Sequence, residues 1–130
     1  MRIRYGHIGE HDDLLEATGM SDRDIDPNKA VDFIIEHSRK FAQAKAHRIY
    51  MEEYRKSLKA ILMKESIESA VNAQERDAYA HPDMLKHLEA LREAVQEEEA
   101  LRWQMVAAEA RVEVWRSQEA TKRSEVRVVL

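Results

Sequence analysis

Two short groups of residues near the start of the chain have the spacing of metal ligands. His7, Glu10 and His11 match the H-x-x-E-H pattern of inverted zinc peptidases. That chemistry needs both histidines on one helical face, with the glutamate beside a metal-bound water. Gly9 interrupts the motif, and no folded domain is predicted around it. We therefore interpret this match as a chance occurrence and predict no zinc site.

The second group, Asp22, Asp24 and Asp26, resembles the first half of a helix-linked calcium loop. Such a loop needs glycine at its sixth position and glutamate at its twelfth. Pro27 and Phe33 occupy those positions. Acidic side chains at a helix N-terminus are explained by the favourable helix dipole, so we predict no calcium site.

The chain lacks the other common catalytic arrangements. It contains no serine, histidine and acid pattern typical of hydrolases, and with only three glycines it has no glycine-rich phosphate loop. Cysteine is absent, which excludes thiolate chemistry and disulfides. We predict that the protein is not an enzyme and uses no cofactor.

Basic side chains form the strongest candidate binding surface. Lys45, Arg48, Glu52, Arg55 and Lys59 advance by alternating steps of three and four, so they share one face of a helix. Such a face can follow the phosphates of single-stranded nucleic acid.

Aromatic residues near these bases leave two interpretations open. Tyr50 and Tyr54 lie on an adjoining stripe, and Trp115 precedes Arg116 near the chain's end. Aromatic rings can stack on the unpaired nucleobases of a single strand. Alternatively, the aromatic side chains fill helix seams while the basic side chains pair with the acids Glu97–Glu99, since aromatic residues in helices mostly belong to cores.

The elements that position these residues are two long helices. The stretches from Pro27 to about Ser66 and from Pro82 to about Arg123 contain no glycine and no internal proline. Each would be about 60 Å long, too long for a compact domain of this size, so we expect a helical hairpin. Asp26 should cap the first helix, and Ser66 or Ser69 should cap a short connecting helix that reaches Ala80.

Heptad-like spacing predicts the buried seam of each long helix. In the first, the seam residues are Ala30, Ile34, His37, Phe41, Ala44, Arg48, Met51, Arg55, Leu58 and Leu62. In the second, they are Met84, Leu88, Leu91, Ala94, Glu98, Leu101, Met105, Ala108, Val112 and Trp115. Charges in a seam determine register, and in an antiparallel hairpin we expect Glu98 to meet Arg48 or Arg55.

The net charge of −4 hides strong segregation along the chain. Residues 39–64 contain eight bases and two acids, whereas residues 65–100 contain ten acids and three bases. Residues 9–36 are also acidic, with nine acids and two bases. The basic helix can therefore pair with an acidic neighbour or present its charge to a polyanion.

The predicted fold is all-α: a long, antiparallel, coiled-coil-like hairpin with a short connecting helix. We divide the chain into an acidic N-terminal arm (1–26), the hairpin domain (27–125) and a C-terminal tail (126–130) that is frayed or forms a small strand. The flanks of such long helices exceed what one copy can cover, so we expect a homo-oligomer.

Neither a signal peptide nor a membrane span is recognisable, which predicts a soluble cytoplasmic protein.

Three segments resemble the UvsY-like recombination mediators found among small bacteriophage proteins. They are AHRIYMEEYRKSLKAIL (46–62), SAVNAQERDAYAHPDM (69–84) and ARVEVWRSQEATKR (110–123). The resemblance is one of layout and covers most of residues 30–123. It implies an oligomer of helical hairpins in the host cytoplasm that binds single-stranded DNA and contacts a recombinase, an annealing protein or a single-strand-binding protein. The DNA contacts that it implies here are Lys45, Arg48, Arg55, Lys56, Lys59, Trp115 and Arg116.

Overall fold

The computed structural model describes residues 24–129, and all of the regular structure in that range is helical. Helix α1 spans Pro27–Glu65, α2 spans Val71–Ala80 and α3 spans Pro82–Val129. The all-α prediction is therefore confirmed for this part of the chain. Most of the predicted acidic arm, with the zinc-like motif at His7–His11 and with Asp22 of the calcium-like group, lies outside the described residues, as does Leu130.

Helix α1 begins where the sequence predicts. The Asp26 Oδ1 atom accepts hydrogen bonds from the backbone N–H groups of Asn28, at 2.9 Å, and Lys29, at 3.3 Å. These amides have no partner inside the helix, so the carboxylate satisfies donors that would otherwise be unpaired. The predicted cap at Asp26 is confirmed.

The start of α2 differs from the prediction. Ala70 occupies the cap position and makes no side-chain capping bond. Ser66 instead accepts a hydrogen bond from the Glu68 backbone N–H and donates one to Asp77 Oδ2 at 2.5 Å. The predicted serine cap was wrong because Ser66 joins the connection between the helices to the side of α2.

Helix α3 is longer than predicted. It continues past Arg123 to Val129, so the small strand that was one of the two alternatives predicted from Val126 is wrong for the described residues. Neither glycine nor proline occurs after Pro82, and nothing in the local sequence stops the helix. The β-branched valines lower helix propensity only slightly.

The described residues divide into two compact units. One contains the described part of Met1–Ile35 together with that of Met105–Leu130, and the other is Glu36–Gln104. The first unit buries Ala30 and Ala108. The second contains the core cluster, in which Leu58, Leu62, Ala78 and Met84 pack together, with Met63 partly buried against them.

Burial follows most of the predicted seams and departs from them at two positions. Ala44, Leu58 and Leu62 of α1 and Met84, Ala94 and Glu98 of α3 are buried as expected. Arg55 and Leu88 were assigned to the seams but are exposed, so these two assignments were wrong. His87 is buried in place of Leu88.

Candidate functional site

The middle of the Glu36–Gln104 unit contains a charged cluster built around Arg48. The Arg48 Nε–H group donates to Glu98 Oε2, and Nη2 donates to Glu98 Oε1 at 3.1 Å. Arg48 also forms an ion pair with Glu52, one turn away on α1, at 3.0 Å. The predicted meeting of Glu98 with Arg48 is confirmed. Arg55, the alternative partner, forms no ion pair among residues 24–129.

This cluster joins α1 to α3 through a nearly buried carboxylate. Glu98 is 7% exposed, whereas the Arg48 side chain retains partial contact with solvent. Hydrogen bonds to Glu98 and then to Glu52 raise the pKa of Arg48 further above its usual value. The guanidinium therefore stays charged and compensates the carboxylate in the seam.

A buried histidine lies farther along the same seam. His87 Nε2 is 2.7 Å from the backbone carbonyl oxygen of Met51. Because that oxygen accepts, Nε2 carries the donated proton. The His87 ring also lies 5.5 Å from the ring of Tyr54, at a tilt of 54°. His87 was not among the predicted seam residues, although Met84, His87 and Leu91 follow helical spacing as closely as Met84, Leu88 and Leu91 do.

The remaining predicted bases of α1 differ in their surroundings. Lys59 forms an ion pair with Glu75 of α2 at 2.9 Å and lies 4.9 Å from the centre of the Tyr79 ring. The hydrogen bond to Glu75, followed by that to Tyr79, raises the pKa of Lys59. Lys56 pairs with Glu53 at 3.2 Å on the surface of α1.

Lys45 and Arg55 are the two predicted contacts on α1 whose charge is uncompensated in the described part of the chain. Both side chains are exposed, and no ion pair within residues 24–129 involves either. They lie on the same side of α1 as Arg48, where the fold leaves their cationic groups in solvent.

Trp115 and Arg116 belong to the other compact unit. Trp115 is half-buried, and Arg116 is exposed and pairs with Glu113 at 3.1 Å. The ion pair joins two residues of α3 itself, three positions apart. Surface pairs of this kind contribute little to stability.

A second aromatic and cationic group lies on α3 within the Glu36–Gln104 unit. The Arg102 guanidinium lies 4.6 Å from the centre of the Trp103 ring and pairs with Glu99 at 2.7 Å. The hydrogen bond from Arg102 lowers the pKa of Glu99. Trp103 is exposed, since it falls outside the stripe through Leu101 and Met105. This offset in spacing is the feature of the sequence that indicates an exposed ring.

Neither a metal site nor a membrane span appears in the described residues. No group of three or more His, Cys, Asp or Glu side chains between residues 24 and 129 is arranged to hold a metal ion. Within the same range, no helix has the length and hydrophobicity needed to cross a bilayer.

The chain was compared with models of protein families, with curated proteins and with solved structures, and none of the three comparisons found a match.

Proposed function

We propose that this protein is a non-enzymatic assembly module in which α1 and α3 form an antiparallel, coiled-coil-like hairpin and several copies associate. Three contacts support the hairpin. Arg48 meets Glu98, Met51 meets His87, and Leu62 packs with Met84. As the α1 residue number rises, that of its α3 partner falls, which is the order expected for antiparallel helices.

The observation that carries the proposal is an imbalance between core and surface. Met84 is the only large side chain among the described residues that is fully buried, and the core cluster has four members. Eighteen large hydrophobic side chains between residues 24 and 129 are exposed. Isolated exposed apolar groups are common, but extensive apolar surface marks interaction sites. Association with other copies would bury part of this surface.

Sedimentation velocity or light scattering of the full chain over a wide concentration range tests the proposal. We expect a mass that is a multiple of 15.2 kDa and that falls only on strong dilution. Circular dichroism should show high helicity at the concentrations where the oligomer forms. A helical protein that stays monomeric at high concentration would contradict the proposal.

Binding of single-stranded DNA is the second candidate function, and the uncompensated charges of Lys45 and Arg55 favour it. In this version the oligomer acts in the cytoplasm, or in the host cytoplasm if the gene belongs to a phage. It would present these bases to phosphates and contact a recombinase, an annealing protein or a single-strand-binding protein, as UvsY-like mediators do. Ion pairing of Arg48, Lys56, Lys59 and Arg116 reduces the charge available to DNA.

A mobility-shift titration with a labelled oligonucleotide at several salt concentrations tests this candidate. Binding should weaken steeply with salt, because each neutralised phosphate releases counterions. The double variant Lys45→Glu/Arg55→Glu should abolish the shift, whereas Lys56→Glu should change it less, since Lys56 already pairs with Glu53. No shift at low salt would leave the assembly module as the function. Equal shifts for all variants would show that DNA binds elsewhere than at Lys45 and Arg55.

A further inference from the structure

Helix α1 carries an exposed row of side chains without Asp, Glu, Lys or Arg. Its positions advance by alternating steps of four and three, so they share one face of the helix. All six are exposed, and all lie within the Glu36–Gln104 unit. We call them the tyrosine row: Gln43, His47, Tyr50, Tyr54, Ser57 and Ile61.

The centre of the tyrosine row is ordered within one copy. The rings of Tyr50 and Tyr54 are stacked, with their centroids 6.0 Å apart and an angle of 11° between the planes. The contact between Tyr54 and His87 holds this pair against α3. Because the rings are positioned before any partner binds, little conformational entropy remains to be lost on association.

The row shares no residue with the contacts that α1 makes with α2. Helix α2 contacts α1 through Lys59, Leu58 and Leu62. Beside the row, α1 and α3 enclose an open groove of about 620 Å³. Ala44, Ala100 and Leu101 form its small and apolar lining, with Gln43, His47 and Gln104 around them; Lys40 and Glu97 also line it.

We infer that a second copy of this chain docks on the tyrosine row, antiparallel, about a two-fold axis at the level of residue 52. This inference rests on the proposed assembly function and names its contact surface. The spacing of the row is symmetric about that level. Tyr50 and Tyr54 are each two residues from position 52. His47 and Ser57 are each five residues from it, and Gln43 and Ile61 are each nine residues from it. Each position of one copy therefore faces a position of the same row in the other.

Charge at the two ends of the row favours the antiparallel arrangement. Residues 36–40 contain Arg39, Lys40 and Glu36, a net charge of +1, and residues 64–68 contain Lys64, Glu65 and Glu68, a net charge of −1. The antiparallel dimer places the positive end of each copy against the negative end of the other. A parallel dimer would place like charges together.

The same arrangement gives the groove an occupant. Gln43 of one copy faces Ile61 of the other, so the exposed Ile61 side chain would enter the apolar part of the groove beside Ala44 and Leu101. Four tyrosines would meet at the axis, and aromatic clusters at an interface centre are typical binding hot spots. Two hairpins joined in this way make a four-helix bundle.

A matched pair of variants tests the row. Ile61→Glu places a charge in the proposed interface, and Ile49→Glu places the same charge at an isoleucine of α1 that is outside the row. The two side chains are 46% and 44% exposed, so neither change should alter the fold of one copy. We expect Ile61→Glu to weaken association by about 30-fold or more, and Ile49→Glu to have little effect. Circular dichroism checks that both variants remain helical.

Crosslinking tests the direction of packing, and the natural chain has no cysteine to interfere. Mixing Gln43→Cys with Ile61→Cys under mild oxidation should give a disulfide-linked dimer. Gln43→Cys alone should not crosslink, because its two copies would be separated by about 27 Å along the helix. A crosslink of Gln43→Cys to itself, or none in the mixture, would overturn the antiparallel row.

The outcomes separate the two proposals. A monomeric natural protein would contradict the assembly function itself. If the natural protein is oligomeric but Ile49→Glu, rather than Ile61→Glu, dissociates it, the assembly function stands and the tyrosine row is not the interface.

Discussion

Glu98 and Arg48 form the most consequential pair of residues in the described chain, because they bring opposite charges into a seam whose other buried residues, apart from His87, are apolar. Removing both charges from water has a cost that an ion pair recovers only with good geometry and further hydrogen bonds. Here Arg48 donates to both oxygens of Glu98 and also reaches Glu52. The pair is therefore tolerated in the seam and determines which parts of α1 and α3 face each other.

The first prediction concerns this pair. Glu98→Gln should lower the melting temperature by several degrees, since Arg48 would then lack its main counter-charge. The double variant Arg48→Leu/Glu98→Leu should have a melting temperature equal to or above that of the natural protein, because apolar replacement of a buried ion pair is commonly neutral or stabilising. Thermal unfolding followed by circular dichroism measures both effects.

The matched control for that experiment is Glu89→Gln, which removes an exposed glutamate from an ion pair with Arg92. It should leave the melting temperature nearly unchanged. If the double leucine variant melted well below the natural protein, the ion pair would be a net source of stability and our explanation of it would be wrong.

The second prediction concerns pH. Because Arg102 lowers the pKa of Glu99, this carboxylate should contribute stability above the ordinary glutamate pKa and lose the contribution as pH falls through its lowered value. Carboxyl-carbon NMR should show Glu99 titrating below the ordinary value of about 4.3. Arg102→Gln should raise its pKa towards that value, and Arg116→Gln should not. An ordinary pKa in the natural protein would contradict the prediction.

At the scale of the elements, α2 completes the core at the connection between the long helices. Ala78 packs with Leu58, Leu62 and Met84, and the ion pair between Lys59 and Glu75 lies at the edge of that cluster. A core this small has little redundancy, since each buried side chain supplies a large share of the apolar contacts.

The third prediction follows from the size of this core. Leu62 is 4% exposed, and Leu62→Ala should lower the free energy of unfolding by about 2–5 kcal/mol through lost burial and a new cavity. Ile67→Ala is the control: Ile67 is fully exposed, so the change should stay within about 0.5 kcal/mol. Urea denaturation measures both. Equal effects of the two changes would show that the Leu58–Met84 cluster is not the core.

At the scale of the whole molecule, the proposed association links folding stability to protein concentration. Binding that occurs only in the folded state stabilises it by mass action. The fourth prediction is therefore that the melting temperature of the natural protein rises with concentration, whereas that of Ile61→Glu rises less. Scanning calorimetry at concentrations spanning two orders of magnitude measures the difference. A melting temperature independent of concentration would contradict association.

The sequence alone determined the helices, because helix formation depends on local features. The absence of glycine and internal proline from two long stretches predicts α1 and α3. The carboxylate of Asp26, followed by Pro27, predicts where α1 begins. Heptad spacing predicted most of the buried positions, and opposite charges in two seams predicted that Glu98 meets Arg48 or Arg55, of which the structure shows Arg48.

The tertiary structure decided what lies on each face, because a stripe is buried only if another element covers it. His87, rather than Leu88, is buried, and the Met51 carbonyl satisfies the buried ring by accepting a hydrogen bond from its Nε2–H group. Arg55 has the spacing of a seam residue yet stays in solvent, since Glu98 pairs with Arg48 instead and an uncompensated guanidinium is costly to bury. The tyrosine row likewise stays exposed because Leu58, Leu62 and other residues outside the row make the buried contacts of α1, and spacing within one helix cannot reveal which stripe a neighbour will cover.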